Sequence, residues 1–179
     1  EVVTQDGEHP VEGESLPQFD AEQIDKSDRV TEPGAMRRRI GRHVDHPRLH
    51  RVNVVAIHIA PGSRLPTRPV GSVAAEAGKG LIGDRYHGSR RRQVTLQSQE
   101  ALDLAAADLG HGFDCGATRR NITVDSGEIP STPGTRLRIG AVDFEVVRVA
   151  APCRLLDDWI GPGAMAALRG RAGSALLVL

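Results

Sequence analysis

Val142-Asp-Phe-Glu-Val-Val-Arg-Val149, continuing into Ala150-Ala-Pro-Cys153, decides the class of fold. The run is rich in β-branched and aromatic residues, which favour strands. Arg136-Leu-Arg-Ile-Gly140 precedes it, so Gly140-Ala141 predicts a tight hairpin between two strands. Pro152 cannot donate to a sheet ladder and keeps Ala151 out of helical geometry, so the second strand ends there. Cys153 therefore falls at a strand exit, followed by Arg154, Asp157 and Asp158. A thiol among guanidinium groups can ionise near neutral pH and serve as a nucleophile or a soft-metal ligand. A free cysteine can equally be a small core hydrophobe.

Upstream, more short strands are expected. Val52–Ile59 is β-branched and is stopped by Pro61-Gly62, and Ser72–Ala77 can form a second strand after Pro66 and Pro69. Gly78-Lys-Gly-Leu-Ile-Gly-Asp-Arg-Tyr-His-Gly88 holds four glycines, which permit positive φ and close approach of backbone to a ligand. It lacks the Gly-Lys-Ser/Thr of a phosphate-binding P-loop. Asp84, Arg85, Tyr86 and His87 nevertheless make it chemically dense.

Arg91–Gln97 reads as a strand and Ser98 as the N-cap of a helix, with Glu100 in the first turn and Gly110 at the C-terminal end. Leu102, Ala105, Ala106 and Leu109 share one face of that helix, which is expected to be structural. His111 and Cys115 have a spacing found in some metal sites, but no second ligand pair accompanies them, so a structural zinc is not expected. Arg119-Arg-Asn-Ile-Thr-Val124 begins a short strand with two guanidiniums and an amide, a pattern suited to clamping an anion or simply to a solvent-facing strand end. A short helix over Ala164–Leu168 and a last strand, Ala175–Leu179, complete the series. Six or seven short strands with little helix predict a mainly β fold, a closed or partly closed barrel with one sizeable flanking helix.

Composition bounds the function. The 179 residues suffice for one domain with a core, and a formal net charge of zero argues against general nucleic-acid binding. Lys26 and Lys79 are the only lysines among 23 basic residues; the others are arginines, suited to bidentate recognition of phosphate and carboxylate. Cys115 and Cys153 are too few for a disulfide scaffold. No apolar run reaches membrane-spanning length and no signal peptide is visible, so a cytoplasmic protein without membrane partners is expected. Residues 1–33 carry ten acidic groups and few large apolar ones, and residues 37–51 are rich in arginine and histidine. Residues 1–51 are accordingly read as a disordered tail, acidic then basic, and 52–179 as the folded domain.

Together the pieces resemble a MOSC domain, named for the C-terminal part of molybdenum cofactor sulfurase. The resemblance rests on Gly80–Arg85, Arg92-Gln-Val-Thr-Leu96 with its Glu100 helix, Arg120-Asn-Ile122, Gly134 with Leu137–Gly140, and Pro152-Cys153, in family order. Gly161-Pro-Gly163 and Arg169-Gly-Arg171 fit the small stand-alone bacterial branch. It implies a fold akin to the pyruvate kinase barrel domain and binding of the molybdenum cofactor. Cys153 would supply the catalytic, metal-binding thiolate, with Asp84, Arg85, Arg120 and Asn121 around the cofactor. Relatives reduce N-hydroxylated compounds with electrons from a partner protein. Relatives often continue past the position of Leu179, which implies a C-terminally incomplete domain, and longer reductases add an N-terminal β-domain that helps hold the pterin.

Two other functions stay open. Cys153 could carry a persulfide between sulfur donor and acceptor proteins. The barrel could instead be a non-enzymatic binding module whose tail meets a partner. Pyridoxal phosphate chemistry is not expected, because Lys79 is the one lysine of the folded part and the sulfurase's pyridoxal domain has no counterpart here.

Overall fold

The computed structural model describes residues 18–20 and 52–179. Among the described residues ten strands form two sheets: β1 Gln18–Asp20, β2 Val54–Ile59, β3 Arg68–Val70, β4 Ser72–Glu76, β5 Gly80–Leu81, β6 Val94–Ser98, β7 Ile122–Val124, β8 Arg136–Ile139, β9 Val142–Val149 and β10 Ser174–Val178. The larger sheet runs β3-β2-β7-β6-β10-β9-β8 and the smaller β1-β4-β5. The seven strands curl into a half-barrel whose edges are β3 and β8, as the β-rich reading anticipates. Register shifts at Val54/Ala56 in β2 and at Ala175/Leu176 in β10 add the local twist that curling needs.

Alternation along the central strands produces the core. Ile57, Ile59, Val94, Leu96, Ile122, Val124, Phe144, Val146, Leu176 and Val178 pack with Val73, Ala75 and Leu81 of the small sheet. The intervening residues of β2, β7 and β6 are polar, and they too are buried: His58, Thr123, Thr95 and Gln97. That second face lies under the segment Cys115–Thr118, a 3-10 turn.

β6 and β7 are parallel and joined through α1, Gln99–Leu109. Ser98 occupies the N-cap position, but its side chain makes no capping bond and its Oγ is buried without a partner. Glu100 accepts from the Gly127 N–H instead, at 3.0 Å. Gly110 ends the helix in the left-handed region, as expected. Two short helices, α2 Leu155–Trp159 and α3 Ala164–Ala167, pack on α1 through Leu102, Ala105, Leu156, Ala164 and Leu168.

The hairpin joins Ile139 to Val142 through Gly140-Ala141, as its sequence requires. Strand limits differ modestly from expectation: β6 starts at Val94 rather than Arg91, and β7 at Ile122 rather than Arg119. The tail assigned to residues 1–51 lies outside the described residues except for Gln18–Asp20. Those three pair antiparallel with β4, from Gln18↔Ala74 to Asp20↔Ser72, so this part of the tail is a strand.

Candidate functional site

Three chain segments meet where β9 ends. Cys153 is exposed just past Pro152. Ahead of it, the Ala150 and Ala151 carbonyls are held by the Arg120 Nη2, at 2.5 and 3.4 Å, while Arg120 Nε donates to the Ala172 carbonyl at 3.0 Å. Burial, and next the like charge of Arg92, pull the Arg120 pKa down to about 10, with the Cys153 side chain acting in the opposite direction. Arg119 has φ 63°, a left-handed turn uncommon outside glycine, as the chain leaves the 3-10 turn for β7. Its guanidinium bonds the Leu65 carbonyl and lies 5.3 Å from the Trp159 ring centre.

The glycine loop delivers the third segment. Gly80 and Gly83 have positive φ, and a Cβ on Gly80 would lie 2.8 Å from Gln93 Cβ, so only glycine lets the loop close on the start of β6. Asp84 is buried, its carboxylate accepting from the Ala60 and Tyr86 N–H groups at 3.0 and 2.9 Å. Arg85 donates to the Arg119 carbonyl at 2.7 Å and lies 4.5 Å from the Tyr86 ring centre; Arg92 approaches the same ring to 4.2 Å. The Arg92 Nε is buried with no hydrogen-bond partner. Burial first, and then Arg85 and Arg148, depress the Arg92 pKa; burial and Arg85 do the same to Arg119.

Asn121 is fully buried. Its Oδ1 accepts from the Thr95 N–H and hydroxyl at 3.0 and 2.8 Å, and its Nδ2 donates to the His58 carbonyl at 3.1 Å. Its amide is therefore committed to joining β2, β7 and β6. Of the other arginines in the candidate loops, Arg90, Arg91 and Arg154 are exposed. The arrangement is a set of four guanidiniums (Arg85, Arg92, Arg119 and Arg120) with one nearby carboxylate, Asp84, which accepts from backbone N–H groups and pairs with Arg85 at 3.5 Å. Such a set can hold a multiply charged anion beside a thiol.

A pocket of about 460 Å³ adjoins Arg119 through Trp159 and is lined by His58, Thr67, Asp114, Cys115 and Gly116. Burial lowers the His58 pKa, against the opposing effect of Asp114, and raises that of the Cys115 thiol. His111 takes no part in this cluster and instead bonds the Gly112 carbonyl. His58 and Asp114 escaped the sequence reading. The one hint was a lone histidine in the apolar run Val54–Ile59, and spacing cannot tell which distant residues it will face.

The sequence model for the MOSC domain matches residues 83–176. The chain belongs to the MOSC domain family. Solved structures share its fold. The YuaD protein from Bacillus subtilis matches with a TM-score of 0.63 at 16% identity, over 71% of this chain and 87% of that one. YiiM from Geobacillus stearothermophilus gives 0.58 at 18%, over 72% and 68%. YiiM from Escherichia coli gives 0.53 at 19%, over 70% and 62%. No curated protein matches by sequence. The matched MOSC segment contains Asp84, Arg85, Arg92, Arg119, Arg120 and Cys153, and so spans the whole cationic site. Among the described residues no helix is long and apolar enough to cross a membrane.

Proposed function

We propose that this MOSC protein binds the molybdenum cofactor, with Cys153 as the metal's thiolate, and reduces N-hydroxylated compounds. The buried Arg92 Nε that lacks a partner, within a group of guanidiniums, is the observation that carries the reading. A buried donor left unpaired is costly, so a cluster of this kind fits an anionic ligand better than an empty fold. The cofactor's terminal phosphate and its sulfur-bound metal ask for cationic donors and a soft thiolate, and the residues present match both.

Arg92 and Arg85 would hold the phosphate beside Tyr86. Arg120 would fix the chain direction from Ala150 to Cys153, setting where the thiol is offered. Arg119 and Trp159 would border the opening. When bound, the molybdenum centre would supply the two-electron reduction of an N–O bond, using electrons from a partner protein.

The protein produced in a cofactor-competent host should contain near-stoichiometric molybdenum, and Cys153→Ser should lose it. An intact protein without molybdenum would sink the reading. Exposure of Cys153 favours a second reading, a sulfur carrier, because a donor protein can reach the thiol. In that case incubation with a cysteine desulfurase should add the mass of one sulfur at Cys153, and an unchanged mass would rule it out.

A further inference from the structure

Cys153 leaves the second cysteine unexplained. Cys115 opens the 3-10 turn that precedes Arg119, where β2 brings His58 against it. One donor atom each from His58, Asp114 and Cys115 lie within 4.8 Å of one another, and His58 Nε2 is 4.0 Å from Asp114 Oδ1. A tetrahedral zinc ion, about 2.0 Å from nitrogen and oxygen and about 2.3 Å from sulfur, requires these donors roughly 3.3–3.5 Å apart. Closing the cluster to that spacing takes side-chain shifts of about an ångström.

The surroundings are those of a ligand site. His58 is 6% exposed and turns its Nε2 toward Asp114, whose side chain is largely exposed. A Cβ on Gly116 would lie 2.7 Å from His58 Nε2 and 2.8 Å from Asp114 Oδ1, so only glycine lets both donors close on the turn. The Gly116 N–H orients the Asp114 carboxylate at 2.7 Å.

Beneath the sulfur, Gln97 Nε2 donates to the Thr123 hydroxyl at 3.0 Å and to the Cys115 carbonyl at 3.1 Å. The Gly116 N–H and Gln97 thus fix the Asp114 carboxylate and the Cys115 backbone, outer contacts of the kind that metal sites use.

We propose that His58, Asp114 and Cys115 form a second metal site, separate from Cys153, for a divalent transition ion of the zinc class. A nitrogen, an oxygen and a sulfur donor form a borderline-soft set that favours zinc over magnesium or calcium. Binding releases the Cys115 thiol proton to solvent. Three protein ligands leave a fourth position facing the pocket lined by Thr67, Pro69 and Trp159, open to water or a small ligand. The site stands whether or not the molybdenum reading does, because Cys153 takes no part.

Cobalt(II) added to the metal-free full chain tests the proposal. A thiolate-to-cobalt charge-transfer band should appear at one equivalent, persist in Cys153→Ser and disappear in Cys115→Ser. Zinc should bleach it, while magnesium should not. Asp114→Asn keeps an oxygen to accept from Gly116 N–H, so the turn survives, and it should weaken cobalt binding at least tenfold. The thiolate band excludes the histidines of residues 37–51, a stretch that has no cysteine. No band in the intact chain, a band that survives Cys115→Ser, or one lost with Cys153→Ser would each overturn the site.

Discussion

Arg120 binds the carbonyl of Ala150 at 2.5 Å, linking the start of β7 to the last residue before the Ala-Pro-Cys exit. The same guanidinium bonds Ala172, so one side chain fixes both the approach to Cys153 and the entry to β10. Lysine has a single ammonium and cannot reproduce this fork. Arg120→Lys is expected to destabilise the fold by about 2 kcal/mol, since at least one buried carbonyl loses its donor. It should also raise the rate of Cys153 alkylation by releasing the exit segment. Urea denaturation and iodoacetamide kinetics check the two effects separately; an unchanged midpoint would remove the structural role.

Asn121→Ala should cost about 3 kcal/mol, because it leaves the Thr95 and His58 backbone groups unpaired in the interior. Thermal unfolding of the variant reads this directly. A loss of cofactor with unchanged stability would instead give Asn121 a binding role.

Gly173 lies against β6: a Cβ there would come within 1.8 Å of the Leu96 carbonyl oxygen, and its φ is +73°. Gly173→Ala must therefore push β10 away from β6 or strain the backbone, and both are costly. The expected outcome is loss of the folded protein or a fall in stability of more than about 3 kcal/mol. A melting temperature within a few degrees of wild type would contradict the packing.

Arg92 is a case where function and stability pull apart. Its burial near Arg85 and Arg148 disfavours its charge. Arg92→Met should stabilise the cofactor-free protein by about 1 kcal/mol. On the proposed cofactor reading, the same change should reduce molybdenum content, because Arg92 would be a phosphate donor. Equal loss of stability and metal would argue that Arg92 is structural.

Asp143 and Arg138 form a two-bond pair on the hairpin, both contacts at 2.7 Å. The Arg138 hydrogen bond holds the Asp143 pKa below the usual carboxylate range. Because the folded value is depressed, the pair's contribution is complete above the unfolded carboxylate range. It disappears as pH falls through the folded value. Carboxyl NMR titration should place the Asp143 midpoint below that of a free aspartate, and Arg138→Gln should move it up.

Local chemistry made the hairpin, the Gly110 helix stop and the strand exit before Cys153 legible in the sequence. Each depends on neighbours in the chain: Gly140-Ala141 for the turn, positive φ at Gly110, Pro152 at the strand exit. The order of the strands was not legible. β10, at the end of the chain, pairs between β6 and β9, and β6 runs parallel to β7, relations set by packing between distant segments. Ser98 shows the limit of a local rule, because burial of its hydroxyl keeps it from capping α1.

The candidate site divides along the same line. The sequence by itself determined which groups are present: a thiol at a strand exit, a glycine loop with Asp84 and Arg85, and arginines at 92, 119 and 120. Tertiary structure alone decided which of them face one another. It committed Asn121 to three strands and gathered the guanidiniums around Tyr86. It also set His58 beside Asp114 and Cys115, because alternation turns one face of β2 to the core and the other to the turn that follows α1. Side-chain type is a property of the chain, whereas juxtaposition is a property of the folded sheet.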